Sequence, residues 1–339
     1  MNSLERVRNV VAGKPVDYLP AQPMIMMLAA KHLGVSFMDY TRDGRLMAAG
    51  QLKIAEDFQI DCLLTCSDPA REVVDIAGED SIVWLPDQGP VINEEKAALT
   101  DKLRLATFRL PDPFGGGRMH DRIKAIEIMR QEVGEEKSIV GWVEGPLALG
   151  AELRGLSAIM IDFIEDSQFV NDLLDFTAAV AIRYAEAQIQ AGADTIGMSD
   201  AAACMMGPEY FSRFLLPRQH KVFGWIKEHY PHVLTRQHIC GQTGPILGGM
   251  KELPVDIYEL DYPVNLPAAR AKLEGRVISG NVSTVTTLLN GTPDEVYESA
   301  RECHATCGTK FIVGSGCEVS PLTPPDNLRA LIRYARNNA

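Results

Sequence analysis

One histidine and two cysteines are placed where they could share a metal ion. His238 and Cys240 stand two positions apart, and Cys317 follows much later in the chain. Residues two apart on an extended strand point to the same side, so His238 and Cys240 can face one ion. An imidazole and two thiolates suit zinc, because magnesium and calcium prefer hard oxygen ligands. Three protein ligands leave a fourth position for a reactant, which is typical of a catalytic zinc.

The same three residues also have a plainer explanation. His238 is compatible with a hydrogen-bonded core histidine, and Cys240 and Cys317 are compatible with packed apolar thiols. Gly241 beside the pair and Gly316 before the second cysteine favour the metal site, since glycine permits close approach to a ligand. If zinc is bound, two thiolates formally neutralise it, and a coordinated thiol becomes an electron-rich nucleophile. The pattern therefore favours alkyl transfer over hydrolysis.

Three carboxylates are candidates for further roles at this centre. Glu144, Asp200 and Asp261 each stand at the end of a candidate strand. Either Glu144 or Asp261 could orient His238, or fill the fourth metal position until a substrate displaces it. Each of the three could instead be an ordinary loop acid or a helix cap. We predict catalytic roles for Glu144, Asp200 and Asp261.

Composition indicates a globular enzyme. The chain has 339 residues, of which 46% are hydrophobic and 23% are charged, near the averages for soluble domains. Asp and Glu number 45 against 33 Lys and Arg, a net charge of -12, which argues against nucleic acid as a partner. No apolar stretch of about 18 residues occurs, so the sequence predicts no membrane-spanning helix.

The N-terminus and the cysteines predict a cytoplasmic protein. Residues 1–8 have the pattern of a charged amphipathic helix and lack the apolar run of a signal peptide. The seven cysteines are odd in number and scattered, unlike a disulfide framework. Cys303 and Cys307 lie one helical turn apart, and we interpret them as buried core thiols.

Short apolar runs alternate with longer helical patterns. The candidate strands are residues 60–65, 139–144, 194–198, 233–239, 256–260, 277–281 and 310–314, and the candidate helices are residues 167–191, 208–229, 266–274, 292–307 and 325–337. Buried parallel strands read as continuous apolar runs, and alternation with helices predicts parallel βα units. The sequence thus predicts an α/β fold, a single (β/α)8 TIM barrel over residues 56–339, with an N-terminal helical extension, residues 1–55, packed on it. A doubly wound open sheet is the alternative.

Several segments, in this order, resemble the uroporphyrinogen decarboxylase superfamily. They are residues 144–146, 199–200, 208–211, 280–283, 291–295, 314–317 and 321–331. The resemblance covers most of the chain from about residue 50 and implies a (β/α) barrel.

Within that superfamily, the residues separate two branches. The arginine-rich motif that the decarboxylases carry near their start is missing here, since residues 19–28 contain no arginine. His238, Cys240 and Cys317 are similar to the zinc site of the corrinoid-dependent methyltransferases. The resemblance implies Zn²⁺, a corrinoid co-substrate carried by a corrinoid protein, and a small-molecule methyl donor or thiol acceptor.

Alternatives remain open at this point. The methyl group could move from the corrinoid to a thiol, or from a methyl donor to the corrinoid. The chain could also decarboxylate a porphyrinogen or another polycarboxylate, which basic residues at the barrel mouth would support. A non-catalytic zinc or corrinoid-binding protein is the third candidate. We assign the methionine-rich segments, residues 24–28 and 204–206, to core packing and not to the site.

Overall fold

A curved sheet of seven parallel strands forms the centre of the molecule in the computed structural model, which describes all 339 residues. The sheet order is β1-β4-β5-β6-β7-β8-β9. A separate antiparallel pair, β2 with β3, makes a small hairpin. The strands are β1 (Cys62–Leu64), β2 (Ile82–Val83), β3 (Val91–Ile92), β4 (Ser138–Glu144), β5 (Thr195–Ser199), β6 (Leu234–Ile239), β7 (Ile257–Leu260), β8 (Val277–Gly280) and β9 (Phe311–Ile312).

Helices follow the strands and cover the sheet. The α-helices are α1 (Ser3–Ala12), α2 (Met27–Leu33), α3 (Phe37–Arg42), α4 (Gly44–Asp57), α5 (Ala70–Ala77), α6 (Arg118–Val133), α7 (Pro146–Arg154), α8 (Leu156–Glu165), α9 (Ser167–Gln190), α10 (Pro208–Tyr210), α11 (Leu216–His229), α12 (Leu247–Met250), α13 (Leu266–Lys272), α14 (Pro293–Cys307) and α15 (Pro325–Arg336). Turns of 3-10 helix occur at Glu94–Lys96, Lys102–Thr107 and Ala201–Met205, and π-helical turns at Phe211–Leu215 and Thr284–Leu289.

The predicted fold class is confirmed. All seven candidate strands are present, and nearly every residue in them is buried, as expected of parallel strands covered on both faces. The β2–β3 hairpin was not predicted, because two-residue strands have no periodicity to detect. No helix combines the length and apolar character that crossing a bilayer requires.

A segment of the N-terminal region takes the place of an eighth strand. The amide of Gln22 donates to the carbonyl of Val313 at 2.8 Å, which joins this segment to the chain just after β9. On the other side, the amide of Asp61, just before β1, donates to the carbonyl of Ala21 at 2.9 Å. The region assigned to a helical extension therefore also supplies part of the barrel wall.

The carboxyl ends of the parallel strands all open on one face, where barrel enzymes place their sites. Trp142 on β4 is 1% exposed and lies at this end, beside Gly197 on β5. A methyl group at Gly197 would lie 2.3 Å from Trp142 Cε3, so only glycine leaves room for the indole. The indole in turn packs 6.5 Å from the His238 ring, measured between centroids.

Candidate active site

His238, Cys240 and Cys317 come together at this face. His238 lies near the end of β6, Cys240 directly follows that strand, and Cys317 lies in the loop after β9. His238 Nε2 is 3.2 Å from Cys240 Sγ and 3.7 Å from Cys317 Sγ, and the two Sγ atoms are 3.7 Å apart. A tetrahedral zinc with Zn–S bonds of about 2.3 Å places two sulfurs roughly 3.7 Å apart. The donor types and their spacing both fit zinc.

The other ring nitrogen of His238 faces a carboxylate that the sequence analysis did not select. The register of β6 with β7 places Glu259 beside His238, and Nδ1 lies 3.6 Å from Glu259 Oε2 with no hydrogen-bond partner of its own. Arg236, two residues before His238, holds Glu259 through both carboxylate oxygens, with Nε 3.1 Å from Oε2. A carboxylate behind a metal-binding imidazole fixes its orientation and raises its basicity.

The protonation of the three residues is linked. A hydrogen bond from Cys240, together with the hydrogen bond and charge of His238, lowers the pKa of the Cys317 thiol to about 4. The same contact raises the pKa of Cys240, because its proton is held by the Cys317 thiolate. Burial lowers the pKa of His238, but the hydrogen bond to Cys317 and the charge of Glu259 outweigh it, so that pKa is raised. The site thus carries negative charge that a dication would neutralise.

Asp261 fixes the loop that carries Cys240. It follows β7 and is 6% exposed. Its Oδ2 accepts a hydrogen bond from the amide of Gly241 at 2.6 Å, and its Oδ1 accepts one from the amide of Tyr262 at 2.7 Å. Gly241 has φ of +81°, a conformation that favours glycine. Asp261 therefore lies close to the metal site without belonging to the group of ligand atoms.

Asp200 is buried behind the site. Its Oδ1 accepts a hydrogen bond from the amide of Ala148 at 2.7 Å, in the first turn of α7, and its Oδ2 accepts one from Gln219 Nε2 at 2.9 Å. Helix α7 has Gly145 at its N-cap and no side-chain cap of its own, so Asp200 satisfies one of its free amides. Burial raises the pKa of Asp200 to about 6.

Glu144 lies at the end of β4 and shares one guanidinium with a second acid. Arg71 Nη2 is 3.3 Å from Glu144 Oε1, and Arg71 Nε is 3.3 Å from Glu72 Oε2. The amide of Glu144 also donates to Glu72 Oε1 at 3.1 Å. Burial, and then the charge of Glu72, raise the pKa of Glu144 well above its usual range. Two buried acids beside one arginine favour a proton shared between them.

A cavity of about 630 Å³ opens above the metal-binding residues. It is lined by 24 residues, of which 14 are hydrophobic, a composition typical of a small-molecule site. His238, Cys240 and Cys317 all line it, and so does Glu144. Asp200 and Asp261 do not. The cavity therefore brings one of the three candidate carboxylates and all three candidate metal ligands to a common space.

The assignment of the methionine-rich segments to core packing alone was wrong. Met24, Met26 and Met205 line the cavity, and Met205 is 59% exposed. Met24 reaches the site because its segment pairs with the loop after β9, where Met24 forms an isolated β-bridge with Glu318. Methionine is apolar in the core and adaptable at a binding surface, so composition alone could not separate these two roles.

Other residues of the site were missed by the sequence analysis. Glu259 and Arg236 were detectable, since charged residues inside buried strands are rare unless paired. Glu152 was not detectable, because an acid on a helix is most often on a solvated face. It lies on α7, lines the cavity, and forms no hydrogen bond. Burial and the nearby carboxylates Asp68 and Glu94 raise its pKa to about 7.

We expect Glu152→Gln to stabilise the protein at alkaline pH. The folded pKa of about 7 lies above the ordinary value of 4.5, so the folded state binds more protons and stability falls as pH rises from about 4.5 through 7. The glutamine variant does not lose this stability. Its free energy of unfolding at pH 8 should therefore be higher than that of the unmodified protein by roughly 2–3 kcal/mol, with no difference at pH 4. Urea unfolding of both proteins at each pH is the measurement. The same difference in free energy of unfolding at pH 4 and pH 8 would contradict the raised pKa of Glu152.

Known proteins resemble this chain over most of its length. The family model described as uroporphyrinogen decarboxylase (URO-D) matches residues 2–338. The methylcobamide:CoM methyltransferase MtbA of Methanosarcina mazei is 32% identical over 349 residues, covering 98% of this chain and 97% of that protein. A uroporphyrinogen decarboxylase of Synechococcus sp. is 28% identical over 260 residues, 74% of this chain and 71% of that protein. The solved structure of a methyltransferase from Methanosarcina mazei superposes with a TM-score of 0.89 at 25% identity, over 99% of both chains.

Proposed function

The chain belongs to the uroporphyrinogen decarboxylase (URO-D) family, and we propose that it is a zinc-dependent methyltransferase that moves a methyl group from a corrinoid to a small thiol. The observation that carries this proposal is the group formed by His238, Cys240 and Cys317, whose ligand atoms all lie within 4.8 Å of one another beside an open cavity. Relatives named as methylcobamide:CoM methyltransferases, similar over almost the whole chain, support corrinoid-dependent methyl transfer.

His238, Cys240 and Cys317 would hold the zinc ion. When bound, zinc lowers the pKa of a coordinated thiol and keeps the resulting thiolate nucleophilic. Two cysteine thiolates leave the centre formally neutral, which suits a thiolate nucleophile better than a hydrolytic water. In the proposed reaction a C–S bond forms and the Co–C bond breaks, its electron pair stays on cobalt, and the thiol proton is released.

Neighbouring residues position these ligands. Glu259 orients the His238 imidazole from behind, and Arg236 holds Glu259 in place. Asp261 accepts the Gly241 amide and so fixes the loop that begins at Cys240. We propose that Asp261 is a positioning residue, since both of its oxygens are used in holding backbone amides.

The other two carboxylates have different proposed roles. Glu144 lines the cavity and is the one predicted catalytic acid with access to a bound molecule, so we propose that it contacts the substrate. Asp200 is fully buried and bonded to Ala148 and Gln219, and we propose that it positions α7, which forms one wall of the cavity.

The corrinoid is proposed to arrive on a partner protein. A cavity of about 630 Å³ is the size of a site for a drug-sized ligand, and a corrinoid is larger than this. The corrin ring must then present its methyl group from the cavity mouth, as a protein-borne corrinoid would. The seven cysteines are all free thiols, which supports a reducing compartment, the cytoplasm.

The two alternatives have less support. Decarboxylation of a polycarboxylate requires cationic groups around the substrate, and no lysine or arginine is among the cavity-lining residues. A purely structural zinc site would have four protein ligands and no open face, whereas here three ligands adjoin a cavity.

An absorbance assay tests the proposed function. Purified zinc-loaded protein is mixed with free methylcobalamin and 2-mercaptoethanol, a small uncharged thiol, and loss of the methyl-cobalt absorbance is followed. We expect loss that depends on both protein and thiol, with methylated thiol formed in equal amount. Absence of thiol-dependent loss, or demethylation that is the same in metal-free protein, would refute the proposal.

A further inference from the structure

The cavity wall carries one sign of charge. Five carboxylates line it, and no lysine or arginine does; the five are Asp68, Glu94, Glu144, Glu152 and Glu318. Asp68 is neutralised by Arg118, whose Nη1 is 2.7 Å from Oδ1 and which approaches from outside the cavity. Arg71 is the cation nearest to Glu144, and Glu72 shares it. Only Asp68 and Glu144 among the five contact an arginine, so the wall carboxylates outnumber the cations that balance them.

Glu152 is the acid with the least compensation. It follows Ala148 and Ala151 on the face of α7 that lines the cavity, and these two small side chains leave open space in front of it. Its carboxylate has no hydrogen bond, and the charged groups that act on it are all carboxylates, namely Asp68, Glu94 and Glu72. A half-buried carboxylate among like charges is destabilised, and a cation beside it would relieve this repulsion.

Glu144 supplies a second, independent sign of a missing partner. It is 6% exposed, and its Oε1 has Arg71 at 3.3 Å, but its Oε2 has no hydrogen-bond donor. Because Glu144 lines the cavity, the free oxygen belongs to a side chain that a bound molecule can reach. This oxygen makes no hydrogen bond within the protein and is open to the cavity, so a donor on a bound molecule can satisfy it.

On the basis of the proposed function, we infer that the small thiol carries a cationic ammonium group, which binds Glu152 and Glu144 while the sulfur faces His238, Cys240 and Cys317. An ammonium offers three donors and a positive charge, which together satisfy the uncompensated Glu152 carboxylate and the free Oε2 of Glu144. The acceptor is thus an aminothiol in chemical class.

This inference separates the chain from relatives whose names specify CoM. CoM is a thiol with a sulfonate tail, and a sulfonate in this cavity would face carboxylates with no lysine or arginine to receive it. Juxtaposed like charges cost several kcal/mol at a binding site. Under this inference the chain and those relatives both transfer a methyl group to a thiol, but the acceptor of this chain is cationic and theirs is anionic.

Calorimetric binding of three methylated products tests the inference without turnover. They are 2-(methylthio)ethylammonium, 2-(methylthio)ethanol and 2-(methylthio)ethanesulfonate, which differ only in the terminal group, and zinc-loaded protein is titrated at pH 8. We expect the ammonium compound to bind on the order of 100-fold more tightly than the sulfonate, with the alcohol between them. Equal affinities, tighter binding of the sulfonate, or no binding of any of the three would overturn the inference.

Charge-neutral variants assign the effect to residues. In Glu152→Gln the ratio of ammonium to sulfonate affinity should fall by about tenfold or more, and Glu144→Gln should lower it as well. Glu165→Gln, a matched change at an exposed acid on α8, should leave the ratio unchanged. An undiminished ratio in both cavity variants would overturn the assignment. Failure of methylcobalamin turnover with 2-mercaptoethanol refutes the proposed function, whereas preference for the sulfonate refutes only the inference.

Discussion

Replacing either Cys240 or Cys317 with alanine is expected to remove the bound zinc and to lower methyl transfer by about a thousandfold or more. Each substitution deletes one of three ligands and one negative charge from a site whose two Sγ atoms lie 3.7 Å apart. The remaining histidine and cysteine are one ligand short of the three that a catalytic zinc requires. A metal that lowers the activation free energy by several kcal/mol accounts for a change in rate of this size when it is lost. Zinc content by elemental analysis and the methylcobalamin assay are the two measurements.

A cysteine outside the site provides the matched control. Cys307 on α14 is 7% exposed and belongs to the apolar core, as predicted for it and for Cys303. Cys307→Ala should keep one zinc per chain and its activity. One zinc per chain in both Cys240→Ala and Cys317→Ala would show that the ion binds elsewhere.

Glu259→Gln is expected to weaken zinc binding by about 10- to 100-fold. Glutamine keeps the shape of the side chain but removes the charge that faces His238 Nδ1, 3.6 Å away. The imidazole then loses the negative charge that raises its basicity and faces at most an amide oxygen, a weaker acceptor. Competition with a chelator of known affinity, at fixed pH, measures the change.

The same substitution also leaves Arg236 without its charged partner, so stability must be measured beside zinc affinity. Uncompensated burial of one member of an ion pair costs about 3–5 kcal/mol, and urea unfolding of the metal-free proteins reports it. Glu298→Gln, at an acid that is 54% exposed on α14, controls for loss of charge. Reduced stability with unchanged zinc affinity would mean that Glu259 stabilises the barrel and has no effect on the metal site.

Much of the barrel was predictable because its strands are buried on both faces. Runs such as β4 and β6 consist entirely of buried residues, and their apolar character is visible in the sequence. The eighth position of the barrel was not predictable. It is filled by a segment that makes isolated bridges at Ala21 and Met24, and Pro20, Gln22 and Pro23 interrupt its apolar pattern. Its role depends on tertiary pairing with Val313 and Asp61.

The metal ligands were predictable from local spacing and Glu144 from its place at a strand end, but most of the other cavity-lining residues were not. His238 and Cys240 are recognisable in the sequence because they lie two residues apart at a strand end. Cys317 is recognisable because it lies in a glycine-rich loop. Glu152 shows its role only once α7 is folded against the cavity, since a helical acid normally faces solvent. Glu259 was detectable as a charged residue in a buried strand, but its place beside His238 depends on the register of β6 with β7.

X-ray absorption at the zinc edge tests the central claim most directly, since it counts the sulfur atoms bound to the ion. The protein with zinc alone should show two sulfur ligands, from Cys240 and Cys317, and one imidazole. Addition of a small thiol should raise the count to three sulfurs, because the open position faces the cavity. A count that stays at two after thiol is added at saturation, or that is already completed by a fourth protein ligand, would contradict the account.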